Sequence, residues 1–238
     1  MAVPTSLNLY WGGWSPTGVG TTVIDVTGGQ WLAPSVAAGT MTRAHRASGP
    51  YIDIPTPSAT TVQVASVNPA GASRVVSQFR HNPVFDTFIA TGTDITLCRH
   101  WHGLAFGTVT NNNSDVEPVS SSDPLNVWCL FRFSTNAGDT TWQAMTCDGT
   151  GVTTISDTGV AVAADTDYHM KIRVVYGDGV YFSVNSSAEV RIATTLPVGT
   201  ATMEPVHGVT KFATGGAETR SFRLFRTLLR VGTPLNLT

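Results

Sequence analysis

His100-Trp101-His102 sets two imidazoles two residues apart. Side chains alternate along a strand, so both rings would leave the same face at a spacing that metal sites in β-proteins use. A zinc centre needs a third protein ligand, and no acidic residue follows at short range. The pair is therefore expected as solvent-facing or hydrogen-bonded side chains on an outer sheet surface, with no metal and no cofactor. Glycosidic-bond cleavage needs paired carboxylates. The chain has Glu117, Glu189, Glu204 and Glu218, none of them in a Glu-x-Asp-x-(x)-Glu row. No Gly-x-Ser-x-Gly elbow, Gly-Lys-Ser phosphate loop or His-Glu-x-x-His helix is present. No catalytic residue is assigned, and the chain is expected not to be an enzyme. The acidic run from Asn111 to Asp123 gathers Asp115, Glu117 and Asp123 among oxygen ligands that calcium favours, although acidic, Ser/Asn-rich loops are more often simply solvated. The segment TRSFRLFRTLLRV (219–231) spaces Arg220, Arg223, Arg226 and Arg230 among apolar residues. Arginine is enriched at interface hot spots, which makes Arg223 and Arg226 candidate partner contacts. Their stems could equally lie over the sheet.

The elements that would carry these residues are strands. The 238 residues suit one all-β domain, and only 13% are charged against about 25% in an ordinary soluble domain. Thr and Val are plentiful where Lys and Glu are scarce, a composition that fits pleated surfaces. From about residue 60, short apolar runs such as FDTFIA (85–90), LNVWCLFRFS (125–134) and TTWQAMTCD (140–148) alternate with Gly, Asn and Pro turns. That spacing indicates a sandwich or barrel. In HMKIRVVY, Met170, Ile172, Val174 and Tyr176 share one face, and His169, Lys171 and Arg173 share the other. Gly177-Asp178-Gly179 then reverses the chain, and the return strand sets Phe182 and Val184 against Tyr181 and Ser183.

A net charge of -2 and a pI near 6.3 lack the basic stripe of a nucleic-acid binder. No apolar run approaches the roughly 20 residues that span a bilayer, and the first residues do not read as a secretory leader. Cys98, Cys129 and Cys147 are odd in number without Cys-x-x-Cys spacing, so buried free thiols are expected. Of the cations, 12 are Arg and only Lys171 and Lys211 are Lys. Residues 1–55 form a separate unit in this reading, an extended Trp/Pro/Gly-rich arm ahead of a sandwich domain at 56–238. Trp11, Trp14 and Trp31 either cover one end of that domain or dock on a neighbouring subunit as partner contacts.

The run RHWHGL (99–104), then FRFS…GD..W (131–142), DTGV (157–160), the meander from Tyr168 to Ile192 and TTLPVGT (194–200) resemble the concanavalin A-like (lectin/glucanase-type) jelly-roll domains of tailed-bacteriophage virion structural proteins. The resemblance covers about 90 to 231 and departs from the pattern at the Asn185-Ser186-Ser187 turn. It implies an antiparallel two-sheet jelly-roll sandwich and a place in the virion, after synthesis in the host cytoplasm. A capsid decoration, or cement, protein is the expected function, with the major capsid protein or other virion proteins as partners and a homo-oligomer, by analogy a trimer. The alternative is a receptor- or glycan-binding module of a tail or head fibre, with a surface glycan as ligand. No nucleic acid and no membrane are expected as partners.

Overall fold

The structure, a computed structural model, describes residues 24–26, 29–32, 41–69, 77–106, 127–213 and 216–231. In chain order the strands are β1 (Ile24–Val26), β2 (Gly29–Leu32), β3 (Thr42–Arg46), β4 (Gly49–Pro55), β5 (Gln63–Pro69), β6 (Ser77–Gln78), β7 (Pro83–Thr91), β8 (Cys98–Ala105), β9 (Val127–Ser134), β10 (Thr141–Asp148), β11 (Thr153–Ala161), β12 (Asp167–Val175), β13 (Gly179–Val184), β14 (Val190–Ile192), β15 (Thr202–Lys211) and β16 (Ser221–Val231). Among the described residues one 3-10 turn, Phe79–His81, interrupts them. They form two antiparallel sheets. One has nine strands in the order β1-β2-β5-β15-β8-β9-β10-β11, with β6 beside β15; the other has seven, β14-β13-β12-β7-β16-β4-β3. The expected two-sheet jelly-roll sandwich is therefore present.

Alternation decides which strands have a wet side. Along β12, Tyr168, Met170, Ile172 and Val174 are buried while the residues between them are half-exposed. β4 and β7 show the same period over most of their length. Tyr176, which alternation groups with the inward row, lies beyond the end of β12 and is exposed. The two residues of the tight turn after β13, Asn185 and Ser186, both adopt left-handed backbone, the geometry that matches strand twist in a hairpin. The nine-stranded sheet behaves differently. β8 and β9 are buried at every position, because a second apolar cluster of Val64, Trp101, Trp128, Leu130, Met145 and Val206 sits on the face turned away from the sandwich core. This is why VWCLFRFS reads as a nearly continuous apolar run, as strands buried on both faces do; in CRHWHGLA the same burial encloses Arg99, His100 and His102.

Residues 42–55 are β3 and β4, and β4 pairs with β16 through Ser221↔Pro55 to Leu224↔Ile52. The strands β1 and β2 join the nine-stranded sheet through β5.

Several motif residues now have a physical reason. Arg132 and Asp139 form a two-bond ion pair (Nε to Oδ2 2.9 Å, Nη2 to Oδ1 2.9 Å) that closes the β9–β10 hairpin, and Asp139 also accepts the Ser134 amide. Asp157 accepts the Gly159 amide and the Thr141 hydroxyl, while Thr158 donates to the Trp142 carbonyl. Gly103 faces a site where an added Cβ would meet the Cys129 carbonyl at 2.4 Å and Ile172 Cδ1 at 2.8 Å.

Candidate functional site

The outer face of the seven-stranded sheet carries a connected group of polar and aromatic side chains. Strand register places His169, Phe88 and Arg226 side by side across β12, β7 and β16. The next row is Ser183, Lys171, Asp86 and Leu228. A register shift between Leu224 and Arg226 inserts Phe225 into β16. Such a bulge leaves one residue unpaired and re-aims its neighbours, so β16 presents both Phe225 and Arg226 to this face before Thr227 turns back to the core.

At the centre, Asp86 Oδ1 lies 3.0 Å from His169 Nε2 and 3.6 Å from Arg226 Nη2. Arg226 is 55% exposed. To one side, Phe88 packs on Phe225 (4.9 Å between centroids), Phe225 on Tyr51 (5.5 Å), and the Arg223 guanidinium stands 5.5 Å over the Tyr51 ring. To the other side, Arg173 sits 4.1 Å over the Tyr181 ring and pairs with Glu189. Arg223 is held by Asp165 and by Asp53 at 3.9 Å. The Arg223 hydrogen bond keeps the Asp165 carboxyl below the ordinary carboxylate range, whereas burial pushes Asp53 up. These are the elements of sugar recognition: aromatic rings for C–H faces, and a carboxylate, guanidinium and imidazole on rigid strands for hydroxyl groups. A histidine oriented by a carboxylate is also the geometry of a general base.

The structure therefore brings Arg223 and Arg226 onto one face. Arg226 is 55% exposed and stands 3.6 Å from Asp86, while Arg223, 14% exposed, pairs with Asp165 and Asp53. Trp31 lies on β2 with its backbone paired to Ile24 and Pro69. Trp11 and Trp14, and the acidic run 111–123, lie outside the described residues. Sequence reasoning missed Asp86, Phe88, Tyr51 and Phe225. The alternation of FDTFIA could have placed Asp86 and Phe88 on the wet side with His169; Tyr51 was assigned to the arm, and the bulge has no sequence signal.

The His-x-His expectation is corrected. His100 and His102 point into the sandwich interior and are fully buried, as is His207 of β15. Pairing fixes this: His100↔Phe133 and His102↔Phe131 share the inward row with Cys98 and Leu104. Burial holds His100 and His207 neutral, with pKa lowered to about 3. Among the described residues no group of three or more His, Cys, Asp or Glu could hold a metal ion. Cys98, Cys129 and Cys147 are buried free thiols.

A concavity of about 520 Å³ lies between Val62, Leu97, Thr135, Asn136, Phe212 and Ala213. These described lining residues are uncharged.

No protein-family model matches the sequence, and neither does any curated protein. Solved structures do match. A glycoside hydrolase family 16 endo-glucanase from Bacteroides ovatus superposes with a TM-score of 0.56 at 6% identity, over 79% of this chain and 84% of that one. A family 7 alginate lyase solved with its substrate gives 0.52 at 12%, over 82% and 83%. The carbohydrate recognition domain of Emp46p gives 0.51 at 8%, over 84% and 87%. At these identities the likeness concerns fold. It also corrects the expectation that the chain is no enzyme: the same fold is found in an endo-glucanase and an alginate lyase. The chain has the concanavalin A-like jelly-roll fold.

Proposed function

We propose that the chain recognises a glycan through the outer face of its seven-stranded sheet, with Asp86, His169 and Arg226 at the centre and Tyr51 and Phe88 beside them. The observation that carries this reading is the bulge in β16, which sets exposed Arg226 beside the Asp86–His169 pair and an aromatic cluster on otherwise regular strands. The fold neighbours, two glycan-active enzymes and a carbohydrate recognition domain, support it. Affinity electrophoresis in gels containing a polyuronate or a neutral β-glucan tests it. The wild type should be retarded by at least one polymer, and Arg226→Ala should weaken retention about tenfold, the effect of losing a charge-assisted hydrogen bond. Retention by neither polymer, or full retention of Arg226→Ala, would refute it.

A second reading concerns where the molecule acts. The motif run between Arg99 and Thr200 resembles phage virion domains, which supports a virion structural protein. In this reading it decorates the head lattice as a homo-oligomer on the major capsid protein. Antibody labelling of particles tests it: periodic density over the head is expected, and label confined to the tail tip would place the molecule on a fibre instead.

A further inference from the structure

Four interior residues, Thr87, Thr227, His207 and His102, form one continuous hydrogen-bonded chain between the two sheets, and its direction can be deduced atom by atom. Thr87 Oγ1 lies 2.8 Å from the Arg226 carbonyl oxygen, which can only accept, so Thr87 spends its hydrogen there. It must then accept from Thr227 Oγ1, 3.0 Å away. Thr227, having donated, accepts from His207 Nε2 at 2.8 Å. A buried neutral imidazole carries a single N–H, so His207 is protonated on Nε2 and its Nδ1 is bare. That Nδ1 accepts from His102 Nδ1 at 3.1 Å, which leaves His102 Nε2 as a lone pair without a partner, as observed. Every donor is used once and the order cannot be reversed, because the chain ends on a carbonyl.

That carbonyl belongs to the bulge. Leu224 and Thr227 both face the core, and the two residues between them face outward, so the register of the bulge depends on where Thr227 is anchored. Other inward strand positions around Thr227 are apolar or aromatic, with Phe85 and Phe222 against His207. They fill space without fixing register. The titratable groups that share the inward rows are His100 and Cys98 on β8, Cys129 on β9 and Tyr168 on β12, with Lys211 at the end of β15 and Arg220 beyond it. No carboxylate faces the cluster among the described residues.

We propose that His207 and Thr227, with His102 and Thr87 behind them, are positioning residues: the directed chain across the core holds the β16 bulge in the one register that places Phe225 and Arg226 together on the ligand face. The proposal rests on the glycan-face reading for its functional consequence, and on the hydrogen-bond geometry alone for its structural part. Two measurements separate these. Nitrogen NMR of the full chain at neutral pH should find His102 protonated on Nδ1 and His207 on Nε2; the opposite tautomers would overturn the chain. Thr227→Val keeps shape and removes the hydroxyl. It should speed amide exchange of Phe88 and Arg226–Leu228 about tenfold, the scale of one hydrogen bond, while Val174 and Phe182 in the same sheet exchange as before. Thr227→Ser should restore protection. Exchange that is unchanged, or that rises uniformly through the sandwich, would overturn positioning in favour of plain core packing. Glycan retention should fall in Thr227→Val and recover in Thr227→Ser; retention at the wild-type level despite a loosened bulge would also overturn it. If the wild type binds no glycan, the glycan-face reading fails, and the exchange and tautomer results still decide whether the chain holds the bulge.

Discussion

Acid should begin to destabilise this sandwich above the range in which its carboxylates titrate. His100 and His207 are neutral in the folded state, with pKa lowered from 6.5 to about 3 by burial, and His102 is lowered by burial and then by its two histidine neighbours. Below pH 6.5 the unfolded chain takes up protons that the folded chain refuses, so stability is intact above that value and is lost as pH falls toward 3. Each such histidine removes ~1.4 kcal/mol per pH unit. At pH 4.5, two units down, His100 and His207 together remove ~5 kcal/mol, to which His102 adds, out of the roughly 5–15 kcal/mol of a typical domain. The carboxyls held low by hydrogen bonds, such as Asp148, Asp157 and Glu189, start from ordinary values of 3.8 and 4.5 and begin to act within about a unit above those values. Urea unfolding followed by Trp fluorescence between pH 8 and about pH 5.5 therefore follows the histidines, and the carboxyls join them toward pH 4.5. His100, with neither ring nitrogen bonded, provides the control. His100→Phe should reduce the slope by one proton and be neutral or stabilising at pH 7, since an unpartnered buried donor costs about 1–3 kcal/mol. Stability that stays flat from pH 6.5 to 4.5, or a slope unaltered in His100→Phe, would refute the reasoning.

Three substitutions probe packing and pairing. Gly103→Ala should lower stability by about 2–5 kcal/mol, because its Cβ would press on β9 main chain that cannot move without breaking the ladder; an unchanged urea midpoint contradicts this. Ile172→Asp buries an unpaired charge at a fully enclosed site and should abolish the cooperative transition, which circular dichroism and gel filtration would show. Asp139→Asn leaves the Arg132 guanidinium buried without its carboxylate and should cost about 3 kcal/mol, read as a shift in thermal midpoint.

Much of the architecture was legible because local chemistry encodes it. Alternation in HMKIRVV and the Gly-Asp-Gly turn specify a hairpin with one dry face, and both appear as read. The resemblance motifs encode hairpin closures and close approaches: Gly103 admits neighbouring backbone, Arg132 pairs with Asp139, and Asp157 caps Gly159. Gly103, Arg132, Asp139 and Asp157 lie away from the proposed ligand face, so they could announce the fold and stay silent on activity, while the meander carries His169 to that face without marking a role for it. The inward position of His100 and His102 was hidden because β8 is buried on both sides, which removes the polar row that shows which face is wet. Arg226 was identifiable as a candidate, but its partners come from β7 and β12, far apart in sequence. The bulge that aligns them depends on a hydroxyl inside the core.

The placement of β16 has a consequence for biosynthesis. It is the last described strand and lies between β7 and β4, in the interior of its sheet. A chain emerging vectorially must keep Ile52, Ile54, Phe85 and Ile89 unsealed until residues beyond 220 are made, since only then can both ladders form. Pairing across that separation is slow, and meanwhile β4 and β7 offer open edges to other nascent chains. High-yield production should therefore depend on temperature and chaperone supply more than on final stability.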